Sequence, residues 1–249
     1  MVFIYYTLDL DGVSATQEVV WLAELPYARA LRCAEIRDRT ARIGTLVGLQ
    51  LLKLGMRETG ANRFRLAQLN CPLHAKPGVS PPVDFSITHC TGLVACALSA
   101  TTAVGIDAEH KRALTETTFR HCFSQREQAW AGRNSVRCLE LWTKKEAVIK
   151  CDGDCDLRHL AAVRISRNRA RLNARTYALR PLALHPVYTA HLATRETAAL
   201  VALRPCRNDG HVMTVVPPAL APASRPTAQP AAQGNTFGEG PSPAPMMGP

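Results

Sequence analysis

Leu141-Trp142-Thr143-Lys144-Lys145-Glu146-Ala147-Val148-Ile149-Lys150 is the stretch whose reading decides the fold. The pattern predicts a helix from about Val136 to Lys150. Trp142, Glu146 and Lys150 recur every four residues on one face of it. That face has two readings. Glu146 can supply an oxygen ligand and Lys150 an anion contact, or the two can form a salt-bridged surface anchored by Trp142 in the core.

Upstream stands Gly105-Ile106-Asp107-Ala108-Glu109. If this segment is extended, Asp107 and Glu109 project from the same side. Two carboxylates so placed suit Mg²⁺, which keeps several waters and takes its remaining oxygens from substrate phosphates. An ordinary solvated strand end is the competing reading. Before it, 83–88 and 93–98 read as a hairpin turning at Thr91-Gly92, and 103–108 as a third short strand. His89 sits at the end of the first of these strands, where an imidazole can meet an anion or make a structural hydrogen bond. Lys76-Pro77 lies in a proline-rich loop, 70–83, as a surface lysine or a fixed phosphate contact.

Working outward, residues 2–10 read as a strand and Val19 to about Leu54 as helical, interrupted at Pro26 and weakened by Gly44, Gly48 and Gly55. Residues 116–131 read as helical, with Ser124 and Glu127 spaced as a capping box. After Gly153, strands are expected at 160–166, 171–180, 187–193 and 200–203. From Pro217 onward nine of 33 residues are proline and only Arg225 and Glu239 are charged. A tail so composed cannot bury a core and is expected to be disordered.

At 47% hydrophobic and 20% charged, the 249-residue chain reads as soluble and globular. It has no run of 18 or more apolar residues and no basic segment ahead of its first apolar run, so a cytoplasmic location without membrane contact is expected. The nine cysteines are odd in number and irregular in spacing, which favours reduced thiols. Cys151 and Cys155 can face one another on a helix, but no second pair stands at zinc-site spacing. A net charge of +10 favours an anionic partner. Arginines at 158, 164, 167, 169, 171, 175 and 180, without an acidic residue among them, raise nucleic-acid binding as a competitor. No zinc finger, Walker A or RNA-reading aromatic motif accompanies them.

Five segments in order resemble the 4′-phosphopantetheinyl transferase superfamily, in particular its larger, monomeric, carrier-protein-activating type. They are Lys76-Pro77, Phe85-Ser86-Ile87-Thr88-His89, Val104 to Glu109, Phe123-Ser124-Gln125-Arg126-Glu127, and Leu141 to Lys150. The resemblance implies an α+β fold of two similar α/β subdomains with pseudo-twofold symmetry, here 1–103 and 104–216, ahead of the tail 217–249. It implies coenzyme A and Mg²⁺ bound between the subdomains, with Asp107, Glu109 and Glu146 on the metal. Lys150 and His89 correspond to coenzyme-A phosphate contacts, Lys76 and Pro77 to the loop beside the nucleotide, and Lys145 to a residue near the same anion. The implied reaction moves phosphopantetheine from coenzyme A to a serine of an apo acyl or peptidyl carrier protein in polyketide, nonribosomal-peptide or lipid synthesis, with adenosine 3′,5′-bisphosphate released. Glu146, directly or through a metal-bound water, and Lys150 are the implied catalytic pair. The first long helix departs from the family pattern: Gly44 stands where a basic residue is common, with Arg39 and Arg42 nearby. A catalytically impaired homologue that binds coenzyme A or a carrier protein, and a nucleic-acid-binding module, are the alternatives.

Overall fold

Among the described residues ten strands fall into two five-stranded sheets, each backed by one long helix. The computed structural model describes residues 1–72, 76–79, 83–114, 119–153, 157–210 and 212–217. The expected tail beyond Pro217, the start of the helix expected at 116 and Cys155 lie outside the described residues.

The first sheet has the order β10-β9-β1-β3-β2. It comprises β1 (Val2–Thr7), β2 (Asp84–Cys90), β3 (Leu93–Ser99), β9 (Val201–Asn208) and β10 (Met213–Val215). The hairpin expected at 83–98 is present: β2 and β3 pair antiparallel from Asp84↔Ser99 to Cys90↔Leu93. Gly92, at φ +74°, takes the left-handed turn position that suits glycine. Strand β9 pairs in parallel with β1, so this sheet draws strands from both sides of the expected division at residue 104. The second sheet has the order β4-β8-β7-β6-β5. It comprises β4 (Val104–His110), β5 (Arg164–Ser166), β6 (Arg169–Leu172), β7 (Arg175–Pro181) and β8 (Tyr188–Thr194), all antiparallel neighbours. The strand expected at 171–180 is broken in two, because Asn173 turns the chain at φ +53° between β6 and β7.

The helical region expected from Val19 to Leu54 is three helices: α1 (Ala15–Ala23), α2 (Tyr27–Ala34) and α3 (Arg39–Glu58). Pro26 caps α2, whereas the glycines do not interrupt α3. They are where it touches the sheet. A Cβ on Gly48 would lie 2.4 Å from Ile87 Cγ2, and one on Gly44 would lie 3.0 Å from the His89 ring. Helix α4 (Gln125–Ala131) carries the expected capping box, with Ser124 N donating to Glu127 Oε2 at 2.7 Å. Helix α5 (Ser135–Asp152) starts at an Asn134 side-chain cap and ends at Gly153, in the left-handed conformation.

Strand β4 alternates in role. Val104, Ile106 and Ala108 join Val2, Ile4, Leu93, Ala95 and Ala97 in an apolar cluster shared by the two sheets. Gly105 and Asp107 occupy the opposite face, the one that meets α5. At Gly105 a Cβ would lie 2.0 Å from the Ala147 carbonyl oxygen and 2.4 Å from Cys151 N, both backbone atoms. Rigid backbone on the far side leaves no rotamer escape. Gly105→Ala should therefore cost about 2 kcal/mol or more of unfolding free energy by displacing α5. Gly78→Ala, with nothing within 4 Å of its Cβ, should stay within about 0.5 kcal/mol; denaturant titration of both variants checks the contrast.

Candidate functional site

The site is built where β2, β4 and α5 meet. Along β2 the side chains of Asp84, Ser86 and Thr88 face the edge of β4. Val104 N donates to Asp84 Oδ2 at 2.6 Å, Ile106 N to Ser86 Oγ at 3.1 Å and Ala108 N to Thr88 Oγ1 at 3.3 Å. Three edge N–H groups that would otherwise be orphaned are thus satisfied by side chains rather than by a strand. Thr88 then donates its hydroxyl to Asp107 Oδ1 at 3.0 Å.

Asp107 is 3% exposed. Its Oδ1 also accepts from Lys150 Nζ at 2.6 Å, and Lys150 Nζ lies 3.2 Å from Glu146 Oε2. Asp107 Oδ2 is buried without a hydrogen-bond partner among the described residues. Burial pushes the Asp107 pKa up, Lys150 pulls it down and Glu146 pushes it up again. Desolvation also works against the Lys150 ammonium, but the two carboxylates outweigh it and raise its pKa. Two carboxylates share one ammonium, so when both are ionised the cluster carries one negative charge more than it neutralises, a state that burial and Glu146 oppose by raising the Asp107 pKa to about 7. The orphaned oxygen and the surplus charge fit a hard divalent cation that takes further oxygens from a phosphate. Glu109 is on the same strand, with its carboxylate 2.8 Å from the half-exposed Arg112 guanidinium. A surface pair of this kind costs little to open. Among the described residues no three His, Cys, Asp or Glu side chains already stand together as a metal-holding group. Asp107 and Glu146 are brought together through Lys150, while Glu109 is turned toward Arg112.

Beside this cluster lies a cleft of about 420 Å³. Lys76, Pro77, Glu146 and Lys150, all singled out from the sequence, line it together with Ser86 of β2 and Arg29 of α2. Lys76 is held by Asp84 Oδ2 at 2.7 Å and the Val104 carbonyl at 2.6 Å, so the loop lysine is fixed to the β2–β4 junction. His89 stands at the exposed end of β2, with Nε2 3.4 Å from Thr45 Oγ1 and its ring under Gly44. Partial burial and the Lys150 ammonium lower its pKa, against Asp107. A bulkier residue at 44 would displace that ring, which gives a steric reason for glycine there.

Two expectations land elsewhere. Lys145 is completely buried, 3.0 Å from Glu127 Oε2, and donates to the Val163 carbonyl at 2.8 Å and the Leu160 carbonyl at 3.2 Å. It braces α5 against α4 and the 3-10 turn at Leu157–Ala162, and it does not line the cleft. One residue's step around a helix turns a side chain by about 100°, which separates Lys145 from Glu146. Arg39 and Arg42 are bound to Glu18 of α1, and they also donate to the carbonyls of Val13 and Ile36. The arginine that faces the cleft is Arg29, whose Nε is buried without a partner among the described residues. Nothing in the spacing of α2 singled it out. Ser86 did leave a signal, as the middle one of three polar residues, Asp84, Ser86 and Thr88, that alternate with Phe85 and Ile87. Trp142 stacks on Phe119, with ring centroids 4.0 Å apart, against the apolar cluster that α5 forms with β6 and β7.

His191 on β8 is the register partner of Asp107 and is buried, with Nδ1 2.8 Å from Thr143 Oγ1. Burial, aided by Lys144, depresses its pKa from 6.5 to about 3. The unfolded chain therefore binds a proton that the folded chain refuses between these values. Its contribution to stability is full above pH 6.5 and is lost as pH falls toward 3. His191→Gln should flatten the decline in stability on that interval by up to about one proton, read from urea titrations at a series of pH values. Lys145→Met leaves the Leu160 and Val163 carbonyls without their donor and Glu127 without its cation, and should cost about 3 kcal/mol. Denaturant titration of the variant checks the loss.

No curated protein matches this chain in sequence. Residues 103–215 match the family model described as the 4′-phosphopantetheinyl transferase superfamily. The match begins one residue before β4 and takes in α5, the two elements that hold Asp107, Glu109, Glu146 and Lys150. The junction of strand and helix at the centre of the site thus lies within the segment that matches the 4′-phosphopantetheinyl transferase superfamily model.

Proposed function

We propose that the protein transfers phosphopantetheine from coenzyme A to a serine hydroxyl of an apo acyl or peptidyl carrier protein, releasing adenosine 3′,5′-bisphosphate. The observation that carries this reading is the cluster in which the carboxyl groups of Asp107 and Glu146 meet the one ammonium of Lys150, at and beside a cleft lined by Lys76 and Arg29. An anionic ligand is attracted by the cations, while the unpaired carboxylate charge suits a metal that a pyrophosphate brings with it.

Asp107, Glu146 and, once released from Arg112, Glu109 are the residues that would hold Mg²⁺. When bound, the ion would neutralise charge on the pyrophosphate oxygens. The chain's own groups position the reactants and move a proton. Lys76, fixed by Asp84 and the Val104 carbonyl, presents a cation whose location does not depend on the ligand. Arg29 adds a guanidinium from α2, suited to forked contact with phosphate oxygens. In the transfer, the serine oxygen forms a bond to the β-phosphorus as that phosphorus parts from the bridging oxygen of the pyrophosphate. The serine proton passes to the Glu146 carboxylate, and the departing oxygen keeps the electron pair as part of adenosine 3′,5′-bisphosphate. Lys150, already 2.6 Å from Asp107 and 3.2 Å from Glu146, holds both carboxylates in register and offsets negative charge on the phosphate. A carboxylate is a weak base toward an alcohol, so proton movement accompanies bond formation rather than preceding it. His89, whose pKa is lowered by burial and by Lys150, would offer a hydrogen bond rather than a full charge from its place beside Thr45 and Gly44.

The test is incubation with coenzyme A, Mg²⁺ and a panel of apo carrier proteins, followed by intact-mass measurement. One carrier class should gain a single phosphopantetheine group. Asp107→Ala should lower Mg²⁺-dependent transfer by about a hundredfold or more while the thermal transition remains cooperative. Coenzyme-A binding without transfer to any carrier would replace this reading with a catalytically impaired homologue, and unchanged turnover of Asp107→Ala at limiting Mg²⁺ would remove Asp107 from the ion.

A further inference from the structure

The second sheet has one face packed on α5 and another that is open to solvent over β5, β6 and β7. Ala170 and Leu172 of β6 and Tyr177 and Leu179 of β7 are buried in the apolar cluster that contains Leu141, Ala147 and Val148 of α5. Alternation therefore turns Arg169, Arg171, Thr176, Ala178 and Arg180 to the opposite face, where all but Ala178 are exposed. Arg171 stands opposite Arg164 of β5 and Thr176 of β7, Arg169 opposite Ala178, and Arg180 two residues beyond Ala178. The four arginines thus form one oblique row across three strands, with steps of about 5–8 Å from one to the next.

Nothing among the described residues neutralises this row. The guanidinium groups of Arg169, Arg171 and Arg180 have neither an ion pair nor a hydrogen bond there, and Arg164 donates to the neutral Ala161 carbonyl. No aspartate or glutamate occurs from residue 157 to 195. Like charges directly opposite one another on a sheet are destabilising, so Arg164 beside Arg171 works against the fold unless an anion joins them. Past Lys150 the chain has no lysine, only arginine, whose planar fork matches two oxygens of one phosphate. At the end of the row a concavity of about 300 Å³ opens beside Arg169 and Arg180, lined also by Asn168, Thr194 and Thr197, with Glu196 as its one carboxylate.

We propose that this face binds the phosphate backbone of a nucleic-acid duplex, with Arg164, Arg171, Arg169 and Arg180 each meeting a phosphate and the concavity beside the last two seating one. Charge selects a polyanion, and the rest of the face selects which. No aromatic side chain lies among these face residues, and Tyr177 is buried on the other side, so the stacking on which single-strand binding draws is absent. The most apolar member is Ala178, so the face lacks both the apolar centre of a protein interface and a side chain that would enter a bilayer. A duplex asks for neither, because its phosphates stand on its outside at fixed spacing and are held without base contacts. The surface lies on the far side of the sheet from α5, which carries Glu146 and Lys150, so its occupation does not depend on the transferase reading.

The test titrates the full chain into fluorescein-labelled duplexes of about 20 base pairs, one DNA and one RNA, and follows anisotropy between about 50 and 200 mM salt. A labelled single strand and phosphatidylglycerol vesicles are titrated in parallel. At least one duplex should bind more tightly than the single strand or the vesicles, with a slope of log affinity against log salt of about −3 to −4 for four phosphate contacts. The triple variant Arg169→Gln, Arg171→Gln, Arg180→Gln should bind that duplex at least about tenfold more weakly at the lower salt and flatten the slope by about 3. Arg37→Gln with Arg57→Gln and Arg63→Gln, the same charge change at three exposed arginines of the first half, should leave affinity within about twofold. A cooperative thermal transition in both variants shows that folding is retained. Equal losses in the two triple variants, tighter binding of the single strand or the vesicles, or no binding of either duplex at the lower salt would each overturn the proposal.

Discussion

Side-chain acceptors on β2 satisfying the exposed edge of β4 are the interaction on which the rest of the structure depends. A strand edge in the interior of a protein must have its N–H groups bonded, and here no strand is available to do it. Asp84, Ser86 and Thr88 take that place at a two-residue period, the period at which β4 presents Val104, Ile106 and Ala108. The junction of the two sheets is therefore polar at its seam and apolar on one face. The same three residues reach beyond the seam: Asp84 fixes Lys76, Ser86 lines the cleft and Thr88 holds Asp107.

Close packing of the helices follows from small residues at the contact points. Gly105 lets the backbone of α5 rest on β4, and that approach is what puts Lys150 2.6 Å from a carboxylate buried in a strand. Gly44 and Gly48 do the same for α3 over His89 and Ile87. Each of these glycines would be read as a weakness in its element from propensity alone. In the folded chain each marks a surface that another element must approach. The electrostatic outcome is a buried group of charges that does not balance by itself, an arrangement better suited to receiving a charged ligand than to holding the fold together.

Much of this was legible in the linear chain, and the parts that were not have common causes. The β2–β3 hairpin, β4, the Ser124–Glu127 cap and α5 are local, set by alternation, turn glycine and cap spacing. That Glu146 and Lys150 share a helix face and that Asp107 faces away from its apolar neighbours was legible because two short patterns specified those faces. Lys145 was misplaced because adjacent residues on a helix point about 100° apart, and only the surrounding elements decide which of the two is buried. Arg29 was missed because its relevance comes from α2 standing across the cleft from α5. The break at Asn173 was missed because a single left-handed residue inside an alternating run leaves the alternation intact on both sides.

By itself the sequence determined the local elements, the pairing of Asp107 with Glu109 on one side of a strand and of Glu146 with Lys150 on one side of a helix, and enough ordered segments to resemble the transferase superfamily. These depend on periods of two and about four residues, which any reader of the chain can measure. Tertiary structure decided which cation each carboxylate meets, that Glu109 turns to Arg112, that Lys145 is a brace, and that β9 returns to pair with β1 across almost the whole chain. Those outcomes rest on long-range contact and burial, since a charged side chain removed from water takes whichever partner the packed backbone brings within reach.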